Sequence, residues 1–97
     1  MSVHSLHRFG RRLVLVVQHP FYDALPTRLV APAVPLGETA LLSDINPVVD
    51  LPGIGPAAVL LDQLTVVRAE RLGRPLGAVD DGDRRVLAAL DRLFCGV

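Results

Sequence analysis

Asp81-Gly-Asp-Arg-Arg-Val-Leu-Ala-Ala-Leu-Asp-Arg-Leu-Phe-Cys-Gly-Val97 closes the chain, and its reading decides the fold class. It is the only long proline-free amphipathic pattern in the sequence. Val86, Leu87, Leu90, Leu93 and Phe94 recur at helical spacing. Asp81 and Asp83 stand where a helix N-terminus favours acids and offers orphan N–H groups to accept from. Gly96 can end the helix by taking a left-handed conformation. One terminal helix is expected, ending in an exposed Phe94-Cys95-Gly96-Val97 tail that can act as a recognition element.

The rest of the chain reads as a β scaffold that presents this tail. Leu13-Val-Leu-Val-Val17 is short and β-branched, so a strand is preferred over a helix, and its unbroken apolar character predicts burial on both faces. Residues 2–8, 28–31, 46–50, 57–61 and 64–68 are further expected strands, the run 28–31 being closed by Pro32 and Pro35. Phe9 to Arg12, Leu51 to Pro56 and Glu70 to Pro75 carry turn chemistry. Glu38 to Leu42 is expected to form one helical turn, and Leu76 to Val79 to lead into the final helix. Residues 19–27 form a proline-bounded loop bearing Phe21, Tyr22 and Leu25. Strands at such short intervals point to a small barrel or strongly bent antiparallel sheet with one helix packed on it.

The chain has 97 residues, which suits one domain. Half of them are hydrophobic, which excludes a disordered chain. Ten arginines balance ten acids and there is no lysine, so no net field draws the protein to nucleic acid or an anionic membrane. The lone Cys95 cannot form an internal disulfide, which fits a reducing cytoplasm. Leu13 to Val17 is too short to span a bilayer and has no cleavage site after it. A soluble, cytoplasmic protein is expected.

No residue set makes a case for catalysis. His4 and His7 lie three apart, and a strand puts them on opposite faces, which argues against a shared metal. His19, before Pro20, reads as a surface residue. Asp80, Asp81 and Asp83 lack the spacing of a calcium loop and suit a helix start. Arg8, Arg11 and Arg12 read as a solvated turn, without the aromatics of a nucleic-acid patch. Gly53-Ile54-Gly55 lacks the lysine and helix of a phosphate loop and reads as a hairpin turn. Cys95 has no evident base to activate it. Phe21 and Tyr22 suit either the rim of the core or an interface.

Five motifs, in order, resemble the CcdB toxins. Leu93-Phe-Cys-Gly-Val97 is similar to their closing Phe-Trp-Gly-Ile. Val17-Gln18 with Phe21-Tyr22-Asp23 looks like their second strand and the loop after it. Arg28-Leu-Val-Ala-Pro32 resembles their Arg-Met-Val-Ile-Pro strand. Leu41-Leu-Ser-Asp44 and Pro47-Val-Val49 recur in the same order. The resemblance implies a homodimeric SH3-like barrel with a C-terminal helix, the toxin of a toxin–antitoxin pair of the plasmid-maintenance kind. It implies binding to the A subunit of DNA gyrase and trapping of the gyrase–DNA cleavage complex, without enzymatic activity, cofactor or metal. It further implies a CcdA-like antitoxin whose disordered C-terminal segment folds onto the toxin. By position, the gyrase contacts would be Cys95, Gly96 and Val97, with Asp91 and Phe94 one turn behind. Antitoxin contacts would be Phe21, Tyr22, Asp91 and Phe94.

One departure stands out: Cys95 occupies the place of the family's tryptophan. An antitoxin-binding module without gyrase poisoning is therefore the alternative expectation. A toxin ribonuclease on a related barrel is a third.

Overall fold

The computed structural model describes residues 3–18, 22, 24–38, 45–80 and 85–96. Its strands are β1 (Val3–Phe9), β2 (Arg12–Val16), β3 (Thr27–Pro35), β4 (Val48–Leu51), β5 (Gly55–Val59), β6 (Thr65–Arg68) and β7 (Gly77–Asp80), followed by the helix α1 (Arg85–Cys95). They form a 7-stranded sheet in the order β4-β5-β3-β2-β1-β7, with β6 also paired to β3. All pairings are antiparallel. The expected architecture, a strongly bent antiparallel barrel with one C-terminal helix, is what the chain adopts.

β3 carries the bend. One of its edges pairs with β2, from Leu13↔Ala33 to Val16↔Val30. The other edge is shared: Thr27 to Val30 pair with β6, and Ala33 to Pro35 pair with β5. β5 and β6 are thus successive segments along one edge, separated by a tight 3₁₀ turn at Leu61–Gln63. Leu61 at this corner is buried in the core, where it fills the angle between the two segments.

The expectation that Pro32 ends this strand is corrected: β3 runs through it to Pro35. Proline is harmful in a strand because it cannot donate to the ladder. In an extended strand the N and C=O of one residue point to the same edge. The Pro32 carbonyl accepts from the Leu60 N–H at 2.8 Å, so its nitrogen faces the gap between the β5 and β6 pairings. No ladder donor is needed there.

A second correction concerns residues 76–79. They hold a strand, β7, which pairs with β1 from Val3↔Asp80 to Leu6↔Gly77. The run Gly77-Ala78-Val79-Asp80 has one β-branched residue, too little to mark it in isolation. The strand near residue 46 begins at Val48, after Pro47. A short 3₁₀ turn at Leu36–Glu38 stands where a helical turn was expected from Glu38 onward, and residues 39–42 lie outside the described residues.

β7 and β4, the two ends of the strand order, come into contact and nearly close the barrel. Their approach is tight at one point. A Cβ on Gly77 would lie 2.6 Å from Pro52 Cγ and 2.8 Å from Pro52 Cβ. Pro52 opens the β4–β5 turn, where the Ile54 N–H bonds the Leu51 carbonyl at 3.0 Å.

The main core gathers Leu6, Leu15, Val17, Val49, Leu51, Val59, Leu61 and Val79, with Val86 and Ala89 from the helix. Val14, Val16 and Val30 form a second cluster, covered by Phe9, Val67 and Leu72. Alternate residues of Leu13 to Val17 enter these two clusters, so both faces of the run are covered. This is the physical origin of its unbroken apolar sequence.

Both histidines of β1 are buried, at 7% exposure for His4 and 8% for His7. The β1–β2 ladder runs from Leu6↔Leu15 to Phe9↔Arg12, leaving the Val16 carbonyl beyond its end. His4 Nδ1 donates to that carbonyl at 3.0 Å. His7 Nδ1 donates to the Gly73 carbonyl at 2.9 Å, and its Nε2 accepts from Ser5 Oγ at 2.9 Å. The imidazoles thus act as tethers, one of them fastening the segment before β7 to β1.

Gly77→Ala should destabilise the protein by about 1–3 kcal/mol, because the added methyl meets a rigid proline ring. Denaturant unfolding of Gly77→Ala, Pro52→Gly and the double variant checks the cause. The two changes should be coupled by about 1 kcal/mol or more. Additive losses would show that this contact does not close the barrel.

Candidate functional site

α1 is amphipathic, but its buried stripe is not the one its largest residues suggest. Val86 and Ala89 are buried in the main core, and Leu90 and Leu93 pack against it. These positions follow the helical spacing of a core-facing stripe. Leu87 and Phe94, counted with the apolar set in the sequence, are exposed instead. Ala89, which a search for large apolar residues passes over, is the close-packing position. The Arg85 guanidinium donates to the Val48 carbonyl at 2.6 Å, tying the first turn of α1 to β4. Asp81 and Asp83, expected at the helix start, lie outside the described residues.

The other stripe faces water. Leu87, Asp91 and Phe94 follow one another at i, i+4 and i+7, the repeat of a single helix face. Phe94 is 69% exposed. Cys95 is a free, exposed thiol next to it. Gly96 then takes φ +76°. Its N–H bonds the Arg92 carbonyl at 2.9 Å, which is the single-bond left-handed cap of a helix C-terminus. A side chain at this φ costs roughly 1–2 kcal/mol, so glycine suits the position where the helix stops. Val97 lies outside the described residues.

Asp91, Phe94, Cys95 and Gly96 are therefore together at one exposed helix end, as the sequence placed them. Tyr22 belongs to a different element, the loop between β2 and β3, and is 50% exposed. Phe21 lies outside the described residues. Gln18, just after β2, and Arg28 of β3 hold the described part of this loop. Gln18 Nε2 donates to the Tyr22 carbonyl at 3.0 Å, and Gln18 Oε1 accepts from the Leu29 N–H at 3.1 Å. Arg28 donates to the carbonyls of Leu25 and Thr27. The Tyr22 backbone is thereby held while its ring stays half in solvent.

A further concave surface was not legible in the sequence. Arg8, Arg11 and Arg12 border a groove of about 460 Å³ whose other walls are Leu13 and Pro32 to Pro35. The arginines are exposed, as a solvated turn requires. What brings Pro32 to Pro35 beside them is the β2–β3 register, a long-range pairing.

Among the described residues no three His, Cys, Asp or Glu side chains gather as a metal site would need. None of their helices is long and apolar enough to cross a membrane.

The sequence matches the family described as CcdB protein over residues 4–96. Among solved structures, the chain is similar to one described as the crystal structure of an Mtb toxin, with a TM-score of 0.78 at 20% identity, covering 92% of this chain and 99% of that one. It is also similar to the Mycobacterium tuberculosis toxin MazF-mt6, with a TM-score of 0.73 at 21% identity, covering 97% of this chain and 96% of that one. At such identities the two likenesses show a shared fold. No curated protein matches the sequence.

Substitutions on the two stripes of α1 should separate cleanly. Phe94→Ser should change stability by no more than about 0.5 kcal/mol, as for a surface residue without partners. Val86→Ala should cost about 2 kcal/mol through lost burial and a cavity. Guanidinium unfolding of both variants checks this, and a large loss at Phe94 would mean that its ring is covered.

Proposed function

The chain belongs to the CcdB family, and from that premise we propose that it is a homodimeric toxin whose C-terminal helix end binds the A subunit of DNA gyrase. On this reading it traps the gyrase–DNA cleavage complex in the cytoplasm, and a CcdA-like antitoxin relieves the block by folding onto the toxin. The protein acts by binding and catalyses nothing itself. Asp91, Phe94, Cys95, Gly96 and Val97 make the gyrase contact. Tyr22, with Phe21, Asp91 and Phe94, serves the antitoxin.

The observation that carries this reading is the ring of Phe94, held in solvent at the end of a helix whose opposite stripe is fixed in the core. Leaving such a ring exposed forgoes roughly 1.5–3 kcal/mol of burial, which a partner can recover. Exposed aromatics on a rigid support are the usual anchors of protein interfaces. The balanced formal charge supports a protein target over direct binding to nucleic acid.

The exposed Cys95 favours a second reading, an antitoxin-binding module that no longer poisons gyrase. A tryptophan at this position would offer a flat face to a cationic partner, worth about 1–2 kcal/mol when desolvated. With the lost contact area, a thiol gives up about 3 kcal/mol, or roughly a hundredfold in affinity.

Expression in a bacterium lacking any antitoxin, with gyrase cleavage assayed in vitro, tests the first reading. Growth arrest and accumulated cleaved DNA are expected. A harmless protein that leaves gyrase untouched but binds its antitoxin assigns the second reading, in which case Cys95→Trp should create toxicity and tighten gyrase binding by about a hundredfold. Cleavage of RNA by the purified protein would overturn both.

A further inference from the structure

Ser5 and His7 of β1 form a hydroxyl–imidazole pair that belongs to neither α1 nor the loop carrying Tyr22. They stand two apart on a strand, so both side chains lie on one face. Ser5 Oγ is 2.9 Å from His7 Nε2. On the other side of the ring, His7 Nδ1 is 2.9 Å from the Gly73 carbonyl, 66 positions away in the chain. A carbonyl can only accept, so Nδ1 carries the ring proton and the tautomer is set. Nε2 is then a bare acceptor, and the hydrogen it shares comes from the Ser5 hydroxyl. A nucleophile bonded to a base, with the base oriented by a third group, is the arrangement that activates serine in acyl transfer.

The base is shielded and the hydroxyl is less so. His7 is 8% exposed and stands opposite the buried Val14 of β2. Ser5 is only partly buried and stands opposite Ala78 of β7. Directly opposed residues share a face of the sheet. Ala78 is exposed and offers only a methyl, and Gly73 is exposed as well, so an electrophile can reach the hydroxyl from the β7 side. Burial of an imidazole on this strand does not by itself require a serine beside it. The Nε2 of His4 is buried without a hydrogen-bond partner among the described residues. The Ser5 hydroxyl is thus an addition that the fold tolerates being without at the neighbouring histidine.

We propose that Ser5 is an acyl-acceptor site, a hydroxyl made nucleophilic by His7 that takes the acyl group of an activated carboxylic ester. Ser5 Oγ forms a bond to the acyl carbon while its proton passes to His7 Nε2. The bond from the acyl carbon to the leaving oxygen then breaks, and the departing aryloxide takes that proton from His7 and leaves as a phenol. No electron acceptor or metal is needed. A nucleophile and a base suffice where the leaving group is a stabilised anion, so the donor is an activated ester, and each chain takes up one acyl group. The step is a modification of the protein and not a turnover, and it stands apart from binding at the end of α1. The chain has no lysine, so the side-chain amines that ordinarily capture such acyl groups are absent.

The test incubates the full chain with p-nitrophenyl acetate, following nitrophenolate by absorbance and the protein by intact and peptide mass spectrometry. A stoichiometric burst of nitrophenolate should accompany the gain of a single acetyl group, and peptide mapping should place that group on Ser5. Ser5→Ala should lose the burst. His7→Gln keeps the hydroxyl and should slow its acylation at least about a hundredfold, the loss expected when a general base is removed. A synthetic peptide with the sequence of Val3–Phe9 carries the same serine and histidines without the fold, and its serine should stay unmodified over the same time. Should His7→Gln fail to fold, the comparison of the parent protein with this peptide decides the matter. Acetyl groups confined to Cys95, Tyr22 or the amino terminus, an unchanged rate in folded His7→Gln, or equal acylation of the serine in protein and peptide would each overturn the proposal.

Discussion

The double pairing of β3 is the constraint on which the rest of the structure depends. One edge is taken by β2 and the other is divided between β6 and β5. That division forces a corner between β5 and β6, and Leu61 fills it from inside. The corner curls the sheet until β7 meets the β4–β5 turn. Closure removes most of the exposed edge that a flat sheet of this size would present. Pro32 belongs to the same arrangement. Its missing donor falls where the two partners of that edge leave a gap, and its carbonyl is met by Leu60.

A closed scaffold gives the terminal helix something rigid to rest on. Val86 and Ala89 anchor one stripe of α1, and Arg85 ties its first turn to β4. The other stripe is then free to hold Leu87, Asp91 and Phe94 in solvent without loss of fold. Gly96 completes the division, because its left-handed backbone ends the helix one residue after the exposed thiol. Cys95, exposed at this end, bears on contact with a partner and little on folding. A tail residue in solvent contributes contacts to a partner and few to the core.

Several elements could be read from the chain because their cause is local. Leu13 to Val17 is apolar throughout since both faces are covered, and Leu51 to Pro56 turns because its prolines and glycines restrict or release the backbone there. The helix end was equally legible, as Phe94, Cys95 and Gly96 follow from periodicity and a stop signal. Other features have causes elsewhere in the chain. β7 is a strand because β1 pairs with it, although Gly77 to Asp80 have little preference of their own. Pro32 lies inside a strand because of where β5 and β6 divide. His4 and His7 are buried since a Val16 carbonyl and a Gly73 carbonyl await their Nδ1 donors.

The sequence by itself determined the fold class, the family and the identity of the exposed tail, since composition, period and turn chemistry are properties of short segments. Tertiary structure decided which stripe of α1 is buried. Hydrophobicity ranks Leu87 and Phe94 above Ala89, but the stripe of Val86, Ala89, Leu90 and Leu93 faces the core and has room for a methyl at its close contact, while Leu87 and Phe94 fall on the opposite stripe. It also decided that three arginines near residue 10 share a groove with prolines more than twenty positions later. Such a surface exists only once the register of β2 on β3 is set, and no local pattern encodes that register.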